Sequence, residues 1–380
     1  MGPLTLTGVD LFPVQLECTH PGGPARPDLR RHLLLRLTAD GRLTGWGEVT
    51  GRGARPLTAP SVADLRDLLR DLLVGRDALA IALLHRELAA ALASAARARA
   101  LLCGVDLALH DLVGRALGVP AHQLHGGALR ARIPVAYPIP AHRRVEDVAD
   151  SIAYMGRMLE RGFARVRFYV GLNLEADLLA LRQMREAHGD RVRIKTLDCN
   201  GHLDWKAARA AIRRFRAEGH EFQLVESPAR RGDHAGLAEV RRTLDVPVSE
   251  HAFTPEEALA LVERRAVDVV NVTAVGAGGF GPARAIAAVA AAAGVACLLG
   301  AAHETSLGTA GQAHLGASLP ELPYRCDCIG PAIYAEDVAT APLRYEGGDL
   351  VIPDGPGLGL TIDEDRLAAL TEPVIARRQG

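Results

Sequence analysis

The sequence predicts an α/β protein, a parallel βα barrel preceded by a smaller α+β domain. Short apolar strands and amphipathic helices alternate over about two hundred residues from position 133 onward. The N-terminal stretch reads differently, as a strand hairpin followed by helices, and three successive strands of the later region end in an acid. At 380 residues the chain is too long for one ordinary core yet has no obvious linker, which suits a large barrel with an appended domain.

In the first 125 residues, "LTLTGVDLFPVQLE" and "HLLLRLTADGRLTGWGEV" read as strands, with Asp40-Gly41 as the hairpin turn. Helices follow in "SVADLRDLLRDLLVG" and in a long run from Ala78 to Gly118. The barrel, expected over 126–339, takes its strands from "IPVAYPI", "RVRFYV", "RIKTLD", "FQLVES", "VPVSE", "VDVVNV", "ACLLG" and "YRCDCIG". Segments such as "VEDVADSIAYMGRMLERG" supply the helices, and the last stretch, about 340–380, is expected to pack back on the first domain. An open doubly wound sheet is the alternative. It would need a glycine-rich dinucleotide turn, and "GAGGFG" lacks the acid about twenty residues further on.

A formal net charge of −1 gives no general attraction to nucleic acid or to an anionic membrane. No run of eighteen apolar residues occurs, and "MGPLTLTGVDLFPVQ" lacks a signal peptide's basic start and apolar stretch, so a cytoplasmic protein is expected. The cysteines at 18, 103, 199, 297, 326 and 328 form no CxxC pair and read as reduced, buried thiols. Zinc on Cys326 and Cys328 is the weaker alternative.

"RIKTLD" ends at Asp198 with Asn200 just beyond, "FQLVES" carries Glu226, and "VPVSE" carries Glu250. A lone acid after a strand is often only the cap of the next helix. Three on adjacent strands converge on the barrel mouth and repel one another unless a cation sits among them. All-oxygen ligation of this kind suits Mg²⁺.

"LDCNG", "VESPA", "VPVSEHAFTPEEA" and "VDVVNVTAVGAGGFGPARAIAAVAAAAGV", in this order, resemble the barrel of the enolase superfamily in its mandelate racemase/muconate lactonizing enzyme branch. "GWGEV", "DLALHDLVGRALGVPAHQLHGG" and "LLGAAHETSLGTAGQAHLGASLP" extend the resemblance over nearly the whole chain. It implies a modified (β/α)7β TIM-type barrel under an N-terminal α+β cap, with Mg²⁺ on Asp198, Glu226 and Glu250. It also implies removal of a proton next to a substrate carboxylate, the enolate being stabilised by the cation, a pattern for which this superfamily is a standard example. A homo-oligomer is a further expectation.

The resemblance departs where the branch keeps its bases. A Lys-x-Lys pair on the second strand is here Arg167 and Tyr169, and the sixth-strand Lys or Asp is Thr273. Arginine holds its charge and can grip a carboxylate but not accept a proton. Tyr169 could be a base only as phenolate, which requires roughly 4 kcal/mol of stabilisation to bring its pKa from about 10 to about 7. His303, beside Glu304 in "GAAHETS", is the remaining titratable group. Arg167, Tyr169 and His303 are therefore the expected catalytic residues. Asn200, Thr273, Glu304 and Asp327 are expected at the substrate, and Lys195, three before Asp198, is expected to face away. By position, the cap loops "CTHPGGPARPDLRR" and "EVTGRGARPLTAP" bring His20, Arg26, Arg52 and Arg55 over the mouth, the first two counted as substrate-binding. These residues point to a small carboxylate substrate and, in the first reading, to dehydration of a hydroxy acid such as a sugar acid. The second reading is an isomerase, and the third a homologue that binds metal and ligand without abstracting a proton.

Overall fold

The computed structural model describes residues 2–19, 28–51, 62–95 and 97–371. Strands β1 (Leu6–Cys18), β2 (Asp28–Ala39) and β3 (Leu43–Val49) form an antiparallel sheet in that order. Both Asp40 and Gly41 take positive φ, 49° and 68°, as the hairpin signal requires. Helices α1 (Val62–Leu73), α2 (Ile81–Ala91) and α3 (Ala98–Leu117) cover one face. The long helical run expected over Ala78–Gly118 is thus two helices, α2 ending at Ala91 and α3 beginning after Arg97, whose φ of 66° does not belong to a helix.

The "GWGE" stretch shows how β3 reaches α3. A Cβ on Gly47 would lie 1.9 Å from the Gly104 carbonyl oxygen, so only glycine lets the two backbones meet. Alternation then turns Trp46 and Glu48 to the opposite face, toward the barrel. Leu33, Leu35 and Leu37 of β2 belong to the cap's core, whereas Leu34 joins the barrel's.

After β4 (Arg132–Pro134), the barrel wall runs β5 (Tyr137–Ile139), β6 (Arg165–Tyr169), β7 (Arg193–Asp198), β8 (Phe222–Glu226), β9 (Val248–His251), β10 (Val269–Val272) and β11 (Ala296–Leu299). These last seven are parallel and neighbour one another in chain order. Between them lie α4 (Val148–Glu160), α5 (Leu174–His188), α6 (Trp205–Ala217), α7 (His234–Thr243), α8 (Pro255–Glu263), the short α9 (Ala274–Ala277) with α10 (Phe280–Ala292), and after β11 comes α11 (Ser306–Ser318). This is a modified (β/α)7β barrel.

The first and last expected strands differ from the sequence reading. "IPVAYPI" divides: β4 leaves the wall to pair with β13 (Asp349–Val351), which pairs in turn with β12 (Tyr345–Glu346). "YRCDCIG" makes no strand. Cys326 exchanges backbone hydrogen bonds with Pro134 and Ala136, and the Asp327 N–H donates to Leu299, so two residues close the ring. Proline at 323 and 331 leaves too little uninterrupted backbone for a ladder. Past β13, α12 (Glu364–Leu370) leads to Thr371, which bridges to Val14 of β1. All six cysteines are buried, and none forms a disulfide. Among the described residues, no helix is long and apolar enough to cross a membrane.

Candidate active site

Register places the acids in a row. Tyr169 pairs with Asp198, Asp198 with Glu226, Glu226 with Ser249, and Glu250 follows next on β9. Above this row opens a cavity of about 680 Å³, lined by Arg167, Tyr169, Asn200, Glu250, Thr273 and His303 among others.

Arg167 is buried and binds three carboxylates. Nε and Nη2 donate to Asp198 Oδ2 at 2.9 and 2.6 Å, Nη2 also to Glu226 Oε1 at 2.6 Å, and Nη1 to Asp327 Oδ2 at 2.8 Å. Burial alone would weaken this cation, but the surrounding carboxylates outweigh it and lock the charge in place. The Tyr169 ring lies 4.9 Å from the guanidinium carbon. Burial pushes the Tyr169 phenol up; Arg167 opposes this, while Asp198, Asp327 and Glu226 add to it. In the field of the protein's own groups the phenolate required of a base is therefore not favoured.

The three acids differ in their surroundings. Burial raises Asp198, Arg167 opposing and the charge of Glu226 adding to the rise. For Glu226 burial acts the same way, but Arg167 and His251 win and hold it well below the carboxylate range. Glu250 is raised by burial despite bonds from the Ser227 hydroxyl at 2.9 Å and the His251 N–H at 2.8 Å. As oxygen donors on adjacent strand ends, with two of the three short of compensating charge, these residues fit a hard divalent cation in kind. Among the described residues no three such side chains already stand gathered as a ligand set; Arg167 is wedged between two of them.

The other expected residues separate. Asn200 and Thr273 line the cavity, the Thr273 hydroxyl capping α9 by accepting from Gly276 N–H at 2.8 Å. His303 also lines it, with φ at 64°, its carbonyl accepting from the Tyr334 hydroxyl. Glu304 is fully buried, is not a lining residue and accepts from the Ala302 N–H at 2.8 Å, a contact that stabilises the turn. Asp327 lies under Arg167 and is not a lining residue. Lys195, expected to face away, is buried and donates to Asp327 Oδ1 at 2.8 Å. The β6–β7 register slips between Val166 and Arg167, so counting by twos from Asp198 fails there. His20, Arg26, Arg52 and Arg55 fall outside the described residues.

Several contributors escaped the sequence reading. His251 Nε2 lies 3.0 Å from Glu226 Oε1, and Asn271 Nδ2 donates to the same oxygen at 3.0 Å. Both occupy strand ends, in "VSEHA" and "VVNVT", which was the available signal. The cap's Arg30 lines the mouth as well.

A roofed barrel with acids on three successive strand ends defines a class, the enolase-type barrels, and two family models agree. Residues 28–126 match the N-terminal domain of mandelate racemase/muconate lactonizing enzyme, and residues 150–366 match the enolase C-terminal domain-like model. The chain belongs to the mandelate racemase/muconate lactonizing enzyme family of the enolase superfamily. It is 30% identical to muconate cycloisomerase 1 of Rhodococcus opacus, covering 89% of this chain and 90% of that one. It is 31% identical to the L-Ala-D/L-Glu epimerase of Bacillus subtilis (strain 168), covering 86% and 88%. The crystal structure of muconate cycloisomerase from Pseudomonas fluorescens superposes with a TM-score of 0.84 at 26% identity, over 98% of this chain and 100% of that one.

Proposed function

We propose that this chain is an isomerase of a small carboxylate that moves one proton, in the manner of a cycloisomerase. The relatives are cycloisomerases and an epimerase, which supports isomerisation and gives the dehydration first expected no support. One observation favours the cycloisomerase over the epimerase. Inversion at carbon needs a proton-transferring group on each face, but on the β6 side Arg167 is held as a cation and at the end of β10 Thr273 spends its hydroxyl on a helix cap.

Mg²⁺ would be held by Asp198, Glu226 and Glu250, supplying positive charge that eases proton loss beside the substrate's carboxylate. Arg167 orients that carboxylate and contributes fixed charge, Tyr169 acts as a neutral hydrogen-bond donor, and His303 carries the proton. Asn200 and Thr273 shape the floor.

The test incubates the protein with Mg²⁺ and a panel of small dicarboxylates and dipeptides in H₂O and D₂O, followed by mass spectrometry. An isomerase returns a product of unchanged formula that gains deuterium at one carbon in D₂O, with the rate lost in His303→Gln. A product lighter by one water reinstates dehydration. Binding without turnover or exchange across the panel supports the ligand-binding reading instead.

A further inference from the structure

Resting on the reading of Asp198, Glu226 and Glu250 as cation ligands, we propose that Arg167 and the divalent cation compete for Asp198 and Glu226, so that cation binding frees the guanidinium to take the substrate's carboxylate.

The argument is one of lone pairs. Asp198 Oδ2 already accepts twice from Arg167, and Oδ1 accepts from the Asn200 N–H at 2.7 Å. Glu226 Oε1 accepts from Arg167 and Asn271 and faces His251, leaving Oε2 with the Ser249 hydroxyl at 3.4 Å. A carboxylate offers about four acceptor sites in all. Mg²⁺ draws its oxygens to about 2.0–2.1 Å and prefers near-octahedral geometry, so a guanidinium on the same oxygens is excluded by both space and charge.

Displacement need not eject the arginine. Nη1 stays on Asp327 Oδ2, and Asp327 is held from the other side by Lys195 Nζ, itself fully buried. Pivoting on that anchor, with the Tyr169 ring against it, Arg167 keeps Nε and Nη2 as a two-pronged donor for an incoming carboxylate. Lys195 and Asp327 thereby act as positioning residues for Arg167.

Isothermal titration with Mg²⁺ alone tests this on the wild type, Arg167→Met, Arg167→Lys and Asp198→Asn. Arg167→Met is expected to bind Mg²⁺ at least ten-fold more tightly than wild type. Arg167→Lys should fall between, because one ammonium cannot bridge both carboxylates as the fork does, and Asp198→Asn should lose binding. Arg167→Lys carries the comparison should Arg167→Met not fold. Unchanged or weaker Mg²⁺ affinity in both arginine variants, with binding lost in Asp198→Asn, overturns the competition while leaving the metal site standing. No binding by any form overturns the metal reading and the competition with it.

Discussion

Two fully buried carboxylates, Glu48 of the cap and Asp198 of the barrel, meet opposite fates. Burial works to raise both. Glu48 nevertheless ends below the ordinary range, because His32 Nδ1 stands 2.8 Å away and because Thr305 and Gly308 donate to its oxygens, the Thr305 hydroxyl at 2.6 Å. Asp198 ends above it, since Arg167 must serve Asp198, Glu226 and Asp327 together. Where many fixed donors converge, charge is settled and the contact is structural. Where one side chain serves several carboxylates, the site retains a demand for positive charge, and that is where chemistry is expected.

The Glu48 network also reaches the mouth. His32 Nε2 lies 3.0 Å from the Tyr334 hydroxyl, which donates to the His303 carbonyl, so the cap braces the turn bearing His303. The satisfied region thus holds a residue of the unsatisfied one in place.

The largest expected effect removes the shared cation. Arg167→Met should lower kcat on the substrate found in the panel by roughly 10²–10³-fold, as loss of a preorganised charge does. A near-normal kcat at saturating substrate would place Arg167 outside catalysis.

A second consequence concerns the join between cap and barrel, where His110 and His125 pack on each other and on Phe280, and His122 packs on His314. Burial lowers His125 to about 3 and His314 to about 4, with neighbouring His110 and Arg284 adding to the fall at His125. These groups bind protons in the unfolded chain below its pKa of about 6.5 but not in the fold, so stability falls as pH drops from about 6.5 toward 4, by up to about 1.4 kcal/mol per unit for each. Buried acids with raised pKa, such as Asp198, act in the opposite direction. Urea unfolding between pH 7 and 5 should show the decline, and His314→Gln should flatten it. An equal slope in the variant would remove this cluster from the account.

The smallest effect separates a cap from a base. Thr273→Ala should cost about 1 kcal/mol through loss of the α9 cap and leave the pH profile of kcat unchanged. A lost limb in that profile would return Thr273 to the chemistry.

Much of this was legible in the sequence. The apolar strand ends at Asp198, Glu226 and Glu250 revealed the mouth because strand alternation and acid placement coincide there. The hairpin at Asp40-Gly41 was legible because only certain residues accept positive φ. Lys195 was misread because a register slip between strands leaves no mark in the residues themselves. The role of Asp327 depends on its side chain meeting Arg167 across the barrel, which spacing along the chain does not encode. Glu48 in "GWGEV" carries no local mark of its role, since two of its donors, Thr305 and Gly308, lie more than 250 positions away.

The most direct measurement of the central contrast is paired urea unfolding of Glu48→Gln and Asp198→Asn at pH 7 without added metal. Glu48→Gln should lose roughly 3–5 kcal/mol, the cost of breaking a well-made buried pair. Asp198→Asn should lose far less, or gain, because it relieves a charge for which the fold alone compensates poorly. The reverse order would contradict the account, making Asp198 the structural carboxylate and Glu48 the dispensable one.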